Sequence, residues 1–79
     1  MEKTLLEEIK AHLMEASEEF RRLAQQHSEY ARLLDELEAR PHITGQDQVE
    51  EVRLKKLKLR AKDQMQEMMN RYRAQQQVV

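Results

Sequence analysis

The chain has 79 residues, 37% of them charged, with a single glycine, a single proline and no cysteine. Its length predicts one small domain, and the absence of cysteine excludes disulfides and thiolate metal sites and fits a reducing, cytoplasmic setting. No stretch approaches the roughly 20 apolar residues of a membrane span, and the opening Met1-Glu2-Lys3-Thr4-Leu5-Leu6-Glu7-Glu8 is too acidic to be read as a secretory or transit peptide.

Charge is divided along the chain. Residues 1–40 carry ten acids and six bases, for a net of −4, and residues 41–79 carry five acids and eight bases, for +3. Such a division predicts that an acidic first half packs against a basic second half. Few strand formers and much Glu, Lys, Arg, Leu and Gln are the composition of long amphipathic helices. Disorder is the alternative for so charged a chain. The apolar residues argue against it, because they are periodic.

Residues of about 2–40 read as the first helix. Leu6, Leu13, Phe20, His27 and Leu34 form one heptad series, and Ile9, Ala16, Leu23, Tyr30 and Leu37 form the second. Only His27 is polar in this seam. Near residues 15–18 the reading stays open: Ser17 could cap a new helix and bend the chain, giving a short third helix. Pro41 disfavours the helical conformation at Arg40, so a turn over 41–46 is expected, with Gly45 supplying turn freedom. Thr44 or Asp47 can cap the next helix, and Thr44-Gly45-Gln46-Asp47 has the outline of a capping box.

The second helix is expected over about 47–75, with a frayed tail over 76–79. Its seam is Leu54, Leu57, Ala61, Met65, Met68 and Tyr72, close to an 11-residue repeat and therefore straighter than a left-handed coil. A thinner apolar stripe runs through Val49, Val52 and Leu59. A short connection makes the two helices antiparallel neighbours. The expected fold is thus all-α: a coiled-coil-like antiparallel two-helix hairpin, assembling into a larger bundle. Positions whose numbers add to about 88 should then face each other, setting Leu34 against Leu54, Leu23 against Met65, Phe20 against Met68 and Ala16 against Tyr72.

A continuous first helix would run ~58 Å against ~45 Å for the second. Leu5, Leu6, Ile9 and Leu13 would overhang. Each large aliphatic left in water forgoes roughly 1.5–3 kcal/mol, so these four form a candidate assembly surface unless the chain bends at Ser17 and covers them.

Candidate chemistry is sparse. His27 could be a ligand or a pH switch, or a half-buried histidine that fixes register through a polar contact across the seam. No His-x-x-x-His or Glu-x-x-His pair places two metal ligands on one helix face. Ser17, Ser28 and Thr44 have no base at helical spacing, so no catalytic residues, metal or cofactor are expected. Met14, Met65, Met68 and Met69 could form an adaptable binding surface or plain core. The run Arg53, Lys55, Lys56, Lys58, Arg60, Lys62 contains no acid. These six could contact a polyanion or an anionic lipid surface. The competing reading pairs them with Glu29, Asp35, Glu36 and Glu38 of the first helix. No aromatic interleaving supports stacking on single strands.

Phe20, Leu23, His27 and Tyr30, then Leu37-Glu38, then Val52, Lys55, Lys56, Lys58, Leu59, Lys62 and Asp63 together resemble the bacterial YdcH-like family, a group of small proteins classed as a domain of unknown function. The resemblance spans roughly residues 10 to 72. It implies a helical hairpin, cytoplasmic, with no established activity. The family often carries Asn-Pro where Ser17-Glu18 stands here, and such a proline would enforce a break. Asp63, about one turn from the level of His27, suggests a buried contact between His27 and Asp63 or a nearby lysine. The expected role is a non-enzymatic module for self-association or contact with another protein. The alternative is a small nucleic-acid-associated protein using the basic helix 53–62.

Overall fold

The computed structural model describes residues 2–77, and side chains from Leu5 to Gln75. It contains three helices, α1 (Glu2–Ala16), α2 (Glu18–Glu38) and α3 (Gly45–Gln77), and no strand among the described residues. Val78 and Val79, half of the expected frayed tail, lie outside the described residues, while the α3 backbone continues through Gln77.

The first forty residues are two helices, not one. Ser17 leaves the helical region, with φ −119° and ψ 115°, and its hydroxyl accepts a 3.1 Å hydrogen bond from the Phe20 N–H. It is the N-cap of α2, satisfying one of the amides that a helix start leaves without a partner. Glu18 and Glu19 follow in the first turn, where negative charge favours the positive end of the helix. On the other side of the break, the Arg21 guanidinium reaches back and donates to the carbonyls of Met14 and Glu15, at 2.8 and 3.0 Å. One serine and one arginine therefore serve the loose ends of both helices, and the break forms without a proline.

Bending at Ser17 lets α1 cover its own apolar side. Ile9 and Leu13 are buried in one cluster with Phe20, and Met14, Met65, Met68, Met69 and Tyr72 pack against it. Phe20 is fully buried. His12 lies against Tyr72, with ring centroids 4.8 Å apart and planes tilted by 31°. A second cluster joins Leu34, Leu37 and Leu54, flanked by Tyr30 and Leu33. Leu23 and Ala61 are buried between the two clusters in sequence. The molecule measures 55 × 22 × 18 Å.

The connection, residues 39–44, is as long as the expected 41–46 but lies two residues earlier. α2 closes at Glu38, with the C-cap Ala39 N–H donating to the Asp35 carbonyl at 3.0 Å and the Arg40 N–H to the Leu37 carbonyl at 3.3 Å. α3 begins at Gly45 because Thr44 and Asp47 cap it reciprocally. The Asp47 N–H donates to Thr44 Oγ1 at 3.0 Å, and the Thr44 N–H donates to Asp47 Oδ2 at 3.2 Å. Asp47 also holds Arg40 at 2.9 Å across the connection. Gly45 is thus the first residue of α3 and has no positive φ, so it does not supply the turn freedom expected of it.

Candidate binding surfaces

Of the residues expected in the helix–helix seam, Phe20, Leu23, Leu34, Leu37, Leu54 and Ala61 are buried. His27, Tyr30, Leu57, Met65, Met68 and Tyr72 are half-buried. The candidate assembly surface divides. Ile9 is only 4% exposed and Leu13 is also buried, so these two are not free for a partner; the bend at Ser17 has already covered them. Leu5 and Leu6 remain exposed. On α3, Val49 is 70%, Val52 51% and Leu59 57% exposed. Val52 and Leu59 are seven residues apart and share one side of the helix, turned away from the Leu54/Ala61 seam.

The basic run departs from the expected pairing with α2. Among the described residues no ion pair joins α2 to α3. Arg53 pairs with Glu50, and Lys55 with Glu51 at 3.5 Å, both within α3. In α2, Glu29 and Glu36 are both taken by Arg32 of their own helix. Partners three or four residues away on one helix are already close, whereas reaching another helix would order two long side chains for little gain in water. Lys56, Lys58, Arg60 and Lys62 consequently carry no ion pair among the described residues.

His27 does not meet Asp63. Asp63 borders a shallow depression with Lys56, Leu57, Leu59 and Arg60 on another side of α3, and Lys62, one residue away, faces the histidine instead. Nor does His27 hydrogen-bond to a lysine among the described residues. Partial burial lowers its pKa below the ordinary value, and the positive charges of Lys58, Lys62 and Lys10 lower it further. It stands on the wall of a groove of about 690 Å³ to which α1, α2 and α3 all contribute.

The methionines serve the core. Met65, Met68 and Met69 close over Ile9, Leu13 and Phe20, while Met65 and Met69 also border the groove. Two of the three hydroxyls that sequence singled out, Ser17 and Thr44, are engaged in capping. Among the described residues no three His, Asp or Glu side chains converge as a metal-ligand set. No described helix is long and apolar enough to cross a membrane.

Sequence reasoning passed over Lys10, Arg21 and the His12–Tyr72 contact. The signal for Arg21 was its position one turn after a potential N-cap. Lys10 and His12 had no signal, because their neighbours depend on the direction in which α1 turns back.

No curated protein and no solved structure matches the chain. A family profile matches residues 20–69, from the residue that roots the three-helix cluster to the methionines that close it, and on that match the chain belongs to the family described as a protein of unknown function (DUF465).

Proposed function

We propose that this protein is a non-enzymatic helical hairpin that works by protein–protein contact, associating with a second copy of itself through the outer side of α3. The carrying observation is the exposed stripe of Val49, Val52 and Leu59. Among the described residues nothing buries them, and burying large aliphatics is worth roughly 1.5–3 kcal/mol each. A pair of hairpins meeting along this stripe is the larger bundle that a small, incompletely covered core favours. Leu5 and Leu6 add apolar surface on α1.

An antiparallel arrangement of α2 and α3 is supported by the two clusters. Leu34 and Leu37 share one with Leu54 near the connection, and Phe20 shares the other with Met65 and Met68 far from it. Absence of catalysis is supported by the engagement of Ser17 and Thr44 in capping. The YdcH-like resemblance, which spans residues 10 to 72, overlaps the matched range 20–69, and with the cysteine-free composition it supports a bacterial, cytoplasmic protein.

Sedimentation velocity over a concentration series tests the association. The wild type is expected to sediment as a dimer or larger species at micromolar concentration, in high as in low salt. Val52→Lys combined with Leu59→Lys should give a monomer of unchanged helicity. A wild type that stays monomeric throughout the series refutes the reading.

One observation favours a second reading, contact with nucleic acid: Lys56 and Arg60 on one side of α3 and Lys58 and Lys62 on another carry no ion pair among the described residues. Such binding should weaken steeply as salt is raised, because phosphate contacts release counterions. Association through Val52 and Leu59 should not.

A further inference from the structure

The groove beside His27 has a composition that neither association nor a linear basic helix requires. Lys10 comes from α1, His27 from α2, and Lys58 and Lys62 from α3. Four cationic or protonatable groups from three helices thus meet on one concave wall, and three of them are close enough to depress the fourth. Two carboxylates, Asp35 and Glu38, border the same groove together with Lys55. They lie toward the connection on α2, so the end near Lys10 and Lys62 is where positive charge is uncompensated. None of Lys10, Lys58 and Lys62 has an ion pair among the described residues. The rest of the lining is the amide of Gln66 and the apolar Leu34, Leu59, Met65 and Met69.

Like charges gathered around a neutral imidazole repel one another, and an anion seated among them removes that repulsion. A volume of about 690 Å³ is within the roughly 300–1,000 Å³ of small-molecule sites, which combine apolar walls with a few convergent polar groups. We propose that this three-helix groove binds a small phosphate-bearing molecule with an apolar body, the phosphate between Lys10, His27, Lys58 and Lys62 and the body against Leu34, Leu59, Met65 and Met69. A nucleic acid is the poorer fit. Its phosphates would meet Lys56 and Arg60 on one side of α3 and Lys58 and Lys62 on another rather than one continuous basic face, and would have no use for Lys10 or for an apolar floor. The site exists only because α1 folds back at Ser17; it shares Leu59 with the self-association stripe, but its charged end, Lys10, His27, Lys58 and Lys62, lies outside that stripe.

Nuclear magnetic resonance titration of the full chain at constant ionic strength tests this, with inorganic phosphate, hexyl phosphate and a single-stranded DNA oligonucleotide as probes. Hexyl phosphate should saturate, with the largest shifts at Lys10, His27, Lys62 and Met69, and should bind more tightly than inorganic phosphate. It should also move the titration of the His27 ring to higher pH, because a bound anion favours the imidazolium. Lys10→Gln and Lys62→Gln should each weaken binding about tenfold, as expected for loss of a charge-assisted contact, while Lys56→Gln should leave it unchanged. Three results would overturn the proposal: no saturation by hexyl phosphate, equal weakening by Lys56→Gln, or DNA binding with shifts centred on Lys56 and Arg60 and no response at Lys10.

Discussion

Ser17 decides the course of the first half of the chain. The heptad series runs through it without a slip, from Ile9 and Leu13 to Phe20 and Leu23, so the hydrophobic pattern alone favours continuity. Capping wins because the Ser17 hydroxyl takes the Phe20 amide and Arg21 takes the Met14 and Glu15 carbonyls, while the bend also buries Ile9 and Leu13. Ser17→Ala should lower stability by about 1 kcal/mol, the usual effect of losing an N-cap, seen as a lower urea midpoint with an unchanged slope. Arg21→Ala, which leaves two α1 carbonyls without their donor, should act in the same direction. His27 gives a prediction about pH. Its folded-state pKa is depressed by burial and by Lys58, Lys62 and Lys10, so the unfolded chain takes up the proton first as pH falls. Its contribution to stability is therefore complete above the unfolded value of about 6.5 and is lost as pH falls below it toward the folded value. Urea unfolding at pH 7.5 and pH 5.5 should show a larger loss for the wild type than for His27→Gln. An equal loss in both would mean that the three lysines and the burial have no net effect on this ring.

At the scale of elements, α2 and α3 were legible because each carries enough apolar periods to outweigh single exceptions. The seam residues Leu34, Leu37 and Leu54 and the capping outline Thr44-Gly45-Gln46-Asp47 could be read directly. Helix ends were less so: α2 stops at Glu38 and α3 starts at Gly45, each displaced by about two residues from the expectation. What could not be read was α1. A bend was visible as an alternative, but the direction of the returning helix sets which side chains meet, and one sequence does not contain that direction. The His12–Tyr72 contact and the place of Lys10 in the groove both depend on it. The expected charge pairing between halves failed for a local reason. Arg32 captures Glu29 and Glu36, and Glu50 and Glu51 capture Arg53 and Lys55, each within one turn of its own helix. A difference in net charge between two segments says where potential lies, not which atoms touch.

For the whole molecule, stability and both proposed binding surfaces depend on the same small core. Phe20 has no exposed surface and sits where α1, α2 and α3 meet, against Ile9 and Leu13 and beneath the α3 methionines. A chain of 79 residues at roughly 0.05–0.15 kcal/mol per residue has little stability to lose. Phe20→Ala should cost about 3–5 kcal/mol through lost burial and an unfilled cavity, a large part of the total. Its effect should be uneven along the chain. The Leu34/Leu37/Leu54 cluster does not include Phe20, so the connection end can stay paired while α1 is released. Amide exchange in Phe20→Ala should then become fast across Glu7–Ala16 and stay slower around Leu34–Leu37 and Leu54–Leu57. Uniform acceleration would instead mean that the two clusters form one cooperative unit. Release of α1 would also remove Lys10 from the groove and expose Ile9 and Leu13. The variant should therefore lose affinity for hexyl phosphate and gain a tendency to associate, a pairing of effects that links the core to both proposed surfaces.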